Sequence, residues 1–339
     1  MARLRRVDPE SPGWSRRRRG RGFEYLDETG ARLGPGDVAR CVALVIPPAW
    51  REVWICPVPH GHIQALGTDD AGRRQYLYHP VWREQRDRAK HDRVLTVARR
   101  LPAARRVVAE HLALPGMPRE RALGTAFRLL DLGFFRVGGE QYAEDNGSFG
   151  LATIEKCHVH VDGDEVVFDY PAKSGRERLV AVADEHVLAA VVELRSRRGG
   201  GRELLAFKDG GRWRDISSDD INRYVKQVVG GEVSAKDFRT WHGTVLAALA
   251  LANAADAAGT ATSAARRTRA VRKAMAEVAE YLGNTPAVAR GSYVDPRLID
   301  AFEAGSTIAP TLRRLGDGRL DGDATRARIE RAVLRLLDA

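Results

Sequence analysis

Cysteine is scarce and poorly placed for structural chemistry. Cys41, Cys56 and Cys157 are the three in 339 residues, and an odd, widely spaced set fits neither a disulfide framework nor a zinc site of paired cysteines. They read as ordinary buried thiols in a reducing compartment. Long apolar runs are also missing: the best stretch, Val245–Ala258, is interrupted by Asn253 and Asp256 and falls short of the roughly 20 residues that span a bilayer. Met1–Arg21 has no apolar core that could act as a signal peptide. A cytoplasmic protein without a membrane partner is expected. There is no glycine-rich phosphate loop of the Walker kind. His60 with His62, and His158 with His160, stand at strand-like spacing, but no carboxylate or cysteine set completes a ligand group. No metal and no other cofactor is therefore expected. Negative charge is in deficit, 45 Asp+Glu against 55 Lys+Arg, for a formal charge of +10. An excess of that sign favours a polyanionic partner, with nucleic acid leading, although an Arg- and Ala-rich composition can produce it alone.

A chain of this length exceeds a usual single domain of roughly 100–200 residues. Residues 1–22 are rich in Arg, Pro, Gly and Ser, with Arg16–Arg19 in a run, and are expected to form a flexible basic arm, in contact with DNA or simply solvated. Residues 23–90 alternate short β-like runs with turns (Phe23–Leu26, Val53–Cys56, Ile63–Gly67, Gln75–His79, with Asp69–Gly72 as a hairpin turn), a small β-rich domain. Charged helical periodicity runs from Trp82 to Leu114 and ends at Pro115–Pro118. Residues 91–310 then read as a larger, mostly helical domain. It holds a helix at Arg119–Leu132 and a three-stranded antiparallel patch (Cys157–Asp162, Glu165–Phe168, Leu179–Val182), with turns at Gly163–Asp164 and Lys173–Gly175. Further helices are expected at Asp184–Arg198, Asp219–Val228, Ala235–Ala252 and Ala264–Leu282, the third opened by Ser234 and Asp237 at capping-box spacing. Residues 311–339 form a carboxy-terminal extension with Ile329, Val333, Leu336 and Leu337 at the spacing of a short amphipathic helix. The fold class is α+β.

Four segments place a cation or polar donor beside a structural break: Leu129–Gly139 (LLDLGFFRVGG), Tyr170–Arg176 (YPAKSGR), Lys236–Thr244 (KDFRTWHGT) and Leu282–Pro296 (LGNTPAVARGSYVDP). Singly, each has an ordinary explanation: a surface arginine, a hairpin-tip lysine, a helix-face ion pair, a core-edge tyrosine. Together they resemble the type IB DNA topoisomerases, poxvirus-like bacterial branch. In that family an arginine follows a Leu-rich helix, a lysine caps a β-hairpin, a second arginine lies in a Lys-Asp-hydrophobic-Arg-Thr helix, and a Leu-Gly-His/Asn-Thr-Pro turn precedes the nucleophilic tyrosine. Arg136, Lys173, Arg239, Asn284 and Tyr293 stand in that order with similar spacing. Arg73–Tyr78 (RRQYLY) is similar to the family's DNA-contacting strand, so the resemblance covers most of residues 23–305.

The resemblance implies a DNA topoisomerase that cleaves one strand of duplex DNA, relaxes supercoils of either sign and reseals it without ATP or obligatory metal, as a monomer clamped around the duplex. The chemistry accounts for the residue types. A free tyrosine has a pKa near 10, so phenolate at pH 7 costs about 4 kcal/mol before attack. As Tyr293 adds to the phosphorus, charge grows on the non-bridging oxygens, which the guanidinium forks of Arg136 and Arg239 match. The departing deoxyribose oxygen requires a proton, and Lys173 is the implied donor. Asn284 departs from the family's commoner histidine, and a neutral amide donates less strongly than an imidazolium. Arg73, Gln75, Tyr76, Tyr78, Tyr142, Lys236 and His242 are candidate DNA contacts. Tyr76 and Tyr78 share one strand face, which could instead pack on a core, and Gln75 could reach base edges. His242 shares a helix face with Arg239 and could support the phosphate pocket, although a satisfied structural histidine is the more usual finding at such a position. Two rivals remain at this point. A tyrosine recombinase usually shows histidine three residues before the second arginine, where this chain has Lys236, and a helical rather than β-rich clamping domain. A catalytically inactive DNA-binding protein would need no Tyr293 or Lys173.

Overall fold

The computed structural model describes residues 3–133, 135–140, 143, 147–173, 175–258, 263–316 and 322–338. The chain forms two compact units, Met1–Lys90 and His91–Ala339, and the α+β class inferred from the pattern is the class observed.

The first unit is an antiparallel five-stranded sheet in the order β2-β1-β3-β4-β5, formed by β1 (Trp14–Arg19), β2 (Gly22–Leu26), β3 (Arg51–Ile55), β4 (Ile63–Thr68) and β5 (Arg74–Tyr78). Trp14, Tyr25, Val53, Ile55 and Ala65 bury one face, and Cys41 of helix α1 (Pro35–Ala43) joins their cluster. The flexible arm expected over residues 1–22 is corrected for Trp14–Arg19, which is strand β1 paired to both β2 and β3. Two things make a strand of an arginine run. Trp14 is buried in the core, and the Arg16 guanidinium lies over Phe23 at 4.1 Å while donating to the Ile46 carbonyl at 2.8 Å. Glu24 on the neighbouring strand then receives Arg17 at 2.6 Å, Arg19 at 3.8 Å and Arg32 at 3.3 Å, relieving the like-charge repulsion that argued for disorder.

The second unit is mostly helical. Helix α2 (Pro80–Leu112) is followed by α3 (Arg119–Gly133) and by an antiparallel sheet in the order β6-β7-β8, formed by β6 (Val159–Asp162), β7 (Glu165–Ala172) and β8 (Arg176–Val182). β7 and β8 run farther toward their turn than the pattern indicated, because Pro171 and the charged Arg176–Arg178 disguise strand residues. Past α4 (Glu185–Ser196), a hairpin of β9 (Ala206–Asp209) and β10 (Arg212–Asp215) was not anticipated. Next come α5 (Ser218–Val229), α6 (Ala235–Ala258), α7 (Ala264–Leu282), α8 (Pro286–Ser292) and α9 (Pro296–Glu303). α6 is the central helix: Phe238, Arg239, Thr240, Trp241, His242 and Thr244 are all buried, as happens when a helix is covered on every side. At its start the Asp237 carboxylate accepts the Ser234 N–H at 2.9 Å and the Ser234 hydroxyl at 3.1 Å.

The extension expected from residue 311 is corrected as well. Helices α10 (Ala309–Leu315) and α11 (Asp323–Asp338) belong to the second unit, and α11 buries Ile329, Val333 and Leu337 in the main core. α11 also brings Arg326 and Glu330 to a buried charge group. Asp131 accepts from Arg105 at 2.9 Å and from Arg326 at 2.6 Å, and Arg105 reaches Glu330 at 2.6 Å. Among the described residues no helix is long and apolar enough to cross a membrane.

Candidate active site

The site grows from the carboxyl end of α7. A helix end leaves its last carbonyls without intrahelical donors and carries negative dipole, so guanidinium groups are suited to it. Gly283 turns the chain away there with φ 60° and ψ 47°, a left-handed conformation glycine adopts without strain. Three arginines from distant elements converge on this turn. Arg136 donates to the Gly283 carbonyl at 3.2 Å and to Asn284 Oδ1 at 3.0 Å. Arg239, from α6, donates to the Leu282 carbonyl at 2.7 Å. Arg178, from β8, donates to the carbonyls of Tyr281 and Glu280. The Arg136 segment is itself anchored, its carbonyl accepting the Leu151 N–H at 2.8 Å while Val137 accepts that of Ala152 at 2.7 Å.

Tyr293 follows on the same stretch. Thr285 caps α8 by accepting the Val288 N–H, and Pro286 opens the helix, where a missing N–H costs nothing. Tyr293 closes α8 with its N–H on the Ala289 carbonyl at 3.0 Å, and Asp295 immediately caps α9. α6 supports this corner closely. The Thr244 hydroxyl lies 3.4 Å from the Tyr293 carbonyl and accepts the Asp295 N–H at 3.1 Å. A Cβ on Gly243 would stand 2.8 Å from that carbonyl, so only glycine permits the approach. The Arg239 guanidinium sits 5.3 Å from the Tyr293 ring centroid and hydrogen-bonds its hydroxyl.

The electrostatics are those of an anion site. Burial first, then the charge of Arg136, push the Arg239 guanidinium down to about 10, which leaves it cationic at neutral pH. Burial lowers Arg178, and Arg136 adds to that, against the pull of Tyr170. Burial raises the Tyr170 phenol against the opposing charges of Arg178, Arg136 and Arg239. At Asn284 the amide orientation is decided by chemistry: Arg136 can only donate, so Oδ1 must face it. The buried Nδ2 then has no hydrogen-bond partner among the described residues.

Arg136, Arg239, Asn284 and Tyr293 are thus brought together, while Lys173 stays exposed at the β7–β8 tip. Arg178 and its partner Tyr170 were missed. The available signal was register: Arg178 continues the inward-facing row of Val180 and Val182, where an apolar residue is usual.

The candidate DNA contacts divide. Tyr76 and Tyr78 are 44% and 40% exposed and stack at 6.0 Å, so they face away from the core, which the alternate residue Leu77 joins. Gln75 lies on the opposite strand face and donates to Asp69 at 2.9 Å, as does Arg73 at 3.0 Å; backbone and side-chain donors of Arg73 hold that carboxyl at about 2. The strand pleat therefore sets Gln75, the residue expected to reach base edges, on the face opposite Tyr76 and Tyr78. Lys236 is exposed on the first turn of α6. His242 is 7% exposed and 3.9 Å from Asp131; burial, then Arg326, push its imidazole down to about 3. It is placed as a neutral core group rather than a surface contact. Tyr142 lies outside the described residues.

A half-buried tyrosine backed by guanidinium groups and an amide donor is equipped to attack a phosphodiester. Comparison with known proteins shows the family. Residues 79–301 match the family of eukaryotic DNA topoisomerase I, catalytic core, and residues 22–69 match the bacterial DNA topoisomerase IB, N-terminal domain. The chain belongs to the type IB DNA topoisomerase family. The DNA topoisomerase 1B of Acanthamoeba polyphaga mimivirus is 26% identical over 286 residues, 82% of this chain and 84% of that protein. DNA topoisomerase I of monkeypox virus and DNA topoisomerase 1B of vaccinia virus (strain Copenhagen) are each 26% identical over 112 residues, covering 32% of this chain and 34% of theirs.

Proposed function

We propose that the protein changes DNA topology by cutting and resealing one strand through a covalent bond to Tyr293. The observation that carries this reading is the convergence of Arg136, Arg239 and Asn284 beside a tyrosine that remains partly exposed. The Tyr293 oxygen bonds to the scissile phosphorus and gives its proton to solvent water. The bond from phosphorus to the 5′ oxygen breaks, and that oxygen takes a proton from the Lys173 ammonium. Arg136 and Arg239 balance the charge on the non-bridging oxygens, and Asn284 Nδ2 donates to one of them. One ester replaces another, so the bond energy is retained in the phosphotyrosyl link. The free 5′ end rotates, relaxing positive or negative supercoils, and then attacks in reverse without ATP.

Supercoiled duplex DNA in the nucleoid is the proposed substrate, held through Lys236 and the Tyr76–Tyr78 face. A monomer suffices, because one site cuts one strand. The test is relaxation of a supercoiled plasmid in the presence of chelator. The wild type should relax it and leave DNA attached to protein after denaturation, while Tyr293→Phe, folded to the same thermal midpoint, should do neither. An unrelaxed plasmid with the wild type, or attachment by the phenylalanine variant, overturns the reading.

A further inference from the structure

Arg178 stands where the sheet should be apolar. Val166 pairs with Val182, Phe168 with Val180 and Tyr170 with Arg178 in one inward-facing row. A guanidinium at such a position is retained only if its donors are satisfied, and here they are. Tyr281 and Glu280 offer the carbonyls at the end of α7, and the Tyr170 phenol, 3% exposed as a residue, stands beside it from across the hairpin. All three neighbours are neutral, so among the described residues dipoles rather than an opposite charge offset Arg178. A Cβ on Gly283 would lie 3.5 Å from Arg178 Nη1 and 4.0 Å from Arg136 Nη1; the two guanidinium groups therefore flank the residue that precedes Asn284.

The hairpin geometry gives this a consequence. Ala172 pairs with Arg176, and Lys173 follows Ala172 at the tip. A two-stranded projection is marginally stable by itself, and Arg178, paired with Tyr170, joins this hairpin to α7. We propose that Arg178 is a positioning residue for strand cleavage: it pins the hairpin that carries Lys173 to the helix end that carries Asn284. The proton donor for the leaving 5′ oxygen is thereby kept in fixed relation to the phosphate ligands. This rests on the reading that Tyr293 attacks and Lys173 protonates.

The test compares single-turnover cleavage of two duplexes, one with an ordinary scissile phosphodiester and one whose bridging 5′ oxygen is replaced by sulfur. A thiolate leaves without a proton, since thiols ionise near pH 8.5, so a residue that acts through Lys173 loses its importance on the sulfur substrate. Arg178→Ala should slow the ordinary cleavage by about 100-fold or more and fall within about 5-fold of wild type on the sulfur duplex, the pattern also expected of Lys173→Ala. Arg178→Lys should recover part of the ordinary rate, and it carries the same comparison should the alanine variant fail to fold. Equal slowing on both substrates, or an unchanged ordinary rate, overturns the proposal. If the wild type becomes attached to neither duplex, it is the Tyr293 reading that fails.

Discussion

An amide that receives a guanidinium hydrogen bond on its oxygen is left as a donor on its other side, and Asn284 shows what that does at an anion site. Its neighbour Arg136 fixes Oδ1 at 3.0 Å, so Nδ2 is the donor the amide has left for a phosphate oxygen. Asn284→Asp keeps the shape and the bond from Arg136, but removes the donor and sets a negative charge where the phosphate belongs. A charge-assisted hydrogen bond is worth about 1.5–3 kcal/mol, so cleavage should fall by about 10- to 100-fold while the thermal midpoint moves little. Asn284→His restores a donor and should stay active. Rapid-quench cleavage rates decide the matter; a fully active aspartate variant would remove Asn284 from the phosphate ligands. Tyr293 and Arg239 gain their relation differently, through the bare backbone of Gly243 and the Thr244 hydroxyl on one turn of α6.

Elements far apart in the chain hold that turn of α6. His242 lies one turn beyond Arg239 and faces Asp131 of α3, which Arg105 of α2 and Arg326 of α11 both contact. Burial works to raise the Asp131 carboxyl, and Arg326 and Arg105 together override it, holding it far below the usual carboxylate range. The carboxy-terminal helix is therefore part of the frame behind the site. The same group makes stability depend on acid. His242 titrates at 6.5 when unfolded and about 3 when folded, so between those values the unfolded chain binds the extra proton and stability falls as pH drops. Asp131 adds a loss of the same sign below its unfolded value of 3.8. His242→Gln removes the first contribution, and its urea-unfolding free energy should lose roughly a few kcal/mol less than wild type between pH 6.5 and 4. Identical pH slopes for the two proteins would contradict a buried, neutral His242.

For the whole molecule the formal charge of +10 implies association governed by phosphate contacts. Affinity for duplex DNA should fall linearly on logarithmic axes, by about 0.9 per phosphate neutralised, and so by about 1,000-fold or more between 50 and 200 mM salt if six or more are contacted. Fluorescence anisotropy over a salt series measures this, and an affinity indifferent to salt would count against backbone recognition. At this scale the reach of the sequence is also clearest. Strand and helix periods, the Leu-Gly-Asn-Thr-Pro turn before Tyr293 and the alternation of Tyr76 with Tyr78 are local patterns, legible because neighbouring residues create them. The amino acid order alone thus determined the α+β class and the segments that supply Arg136, Lys173, Arg239, Asn284 and Tyr293. Only the tertiary structure decided that an arginine run would be strand β1, that α11 would close a buried charge group, and that Arg178 and Tyr170 would back the site while His242 turned inward. The arginine run depends on Glu24 of the neighbouring strand and the charge group on Arg326 of the last helix, and a buried charge is tolerated only where folding delivers its partner.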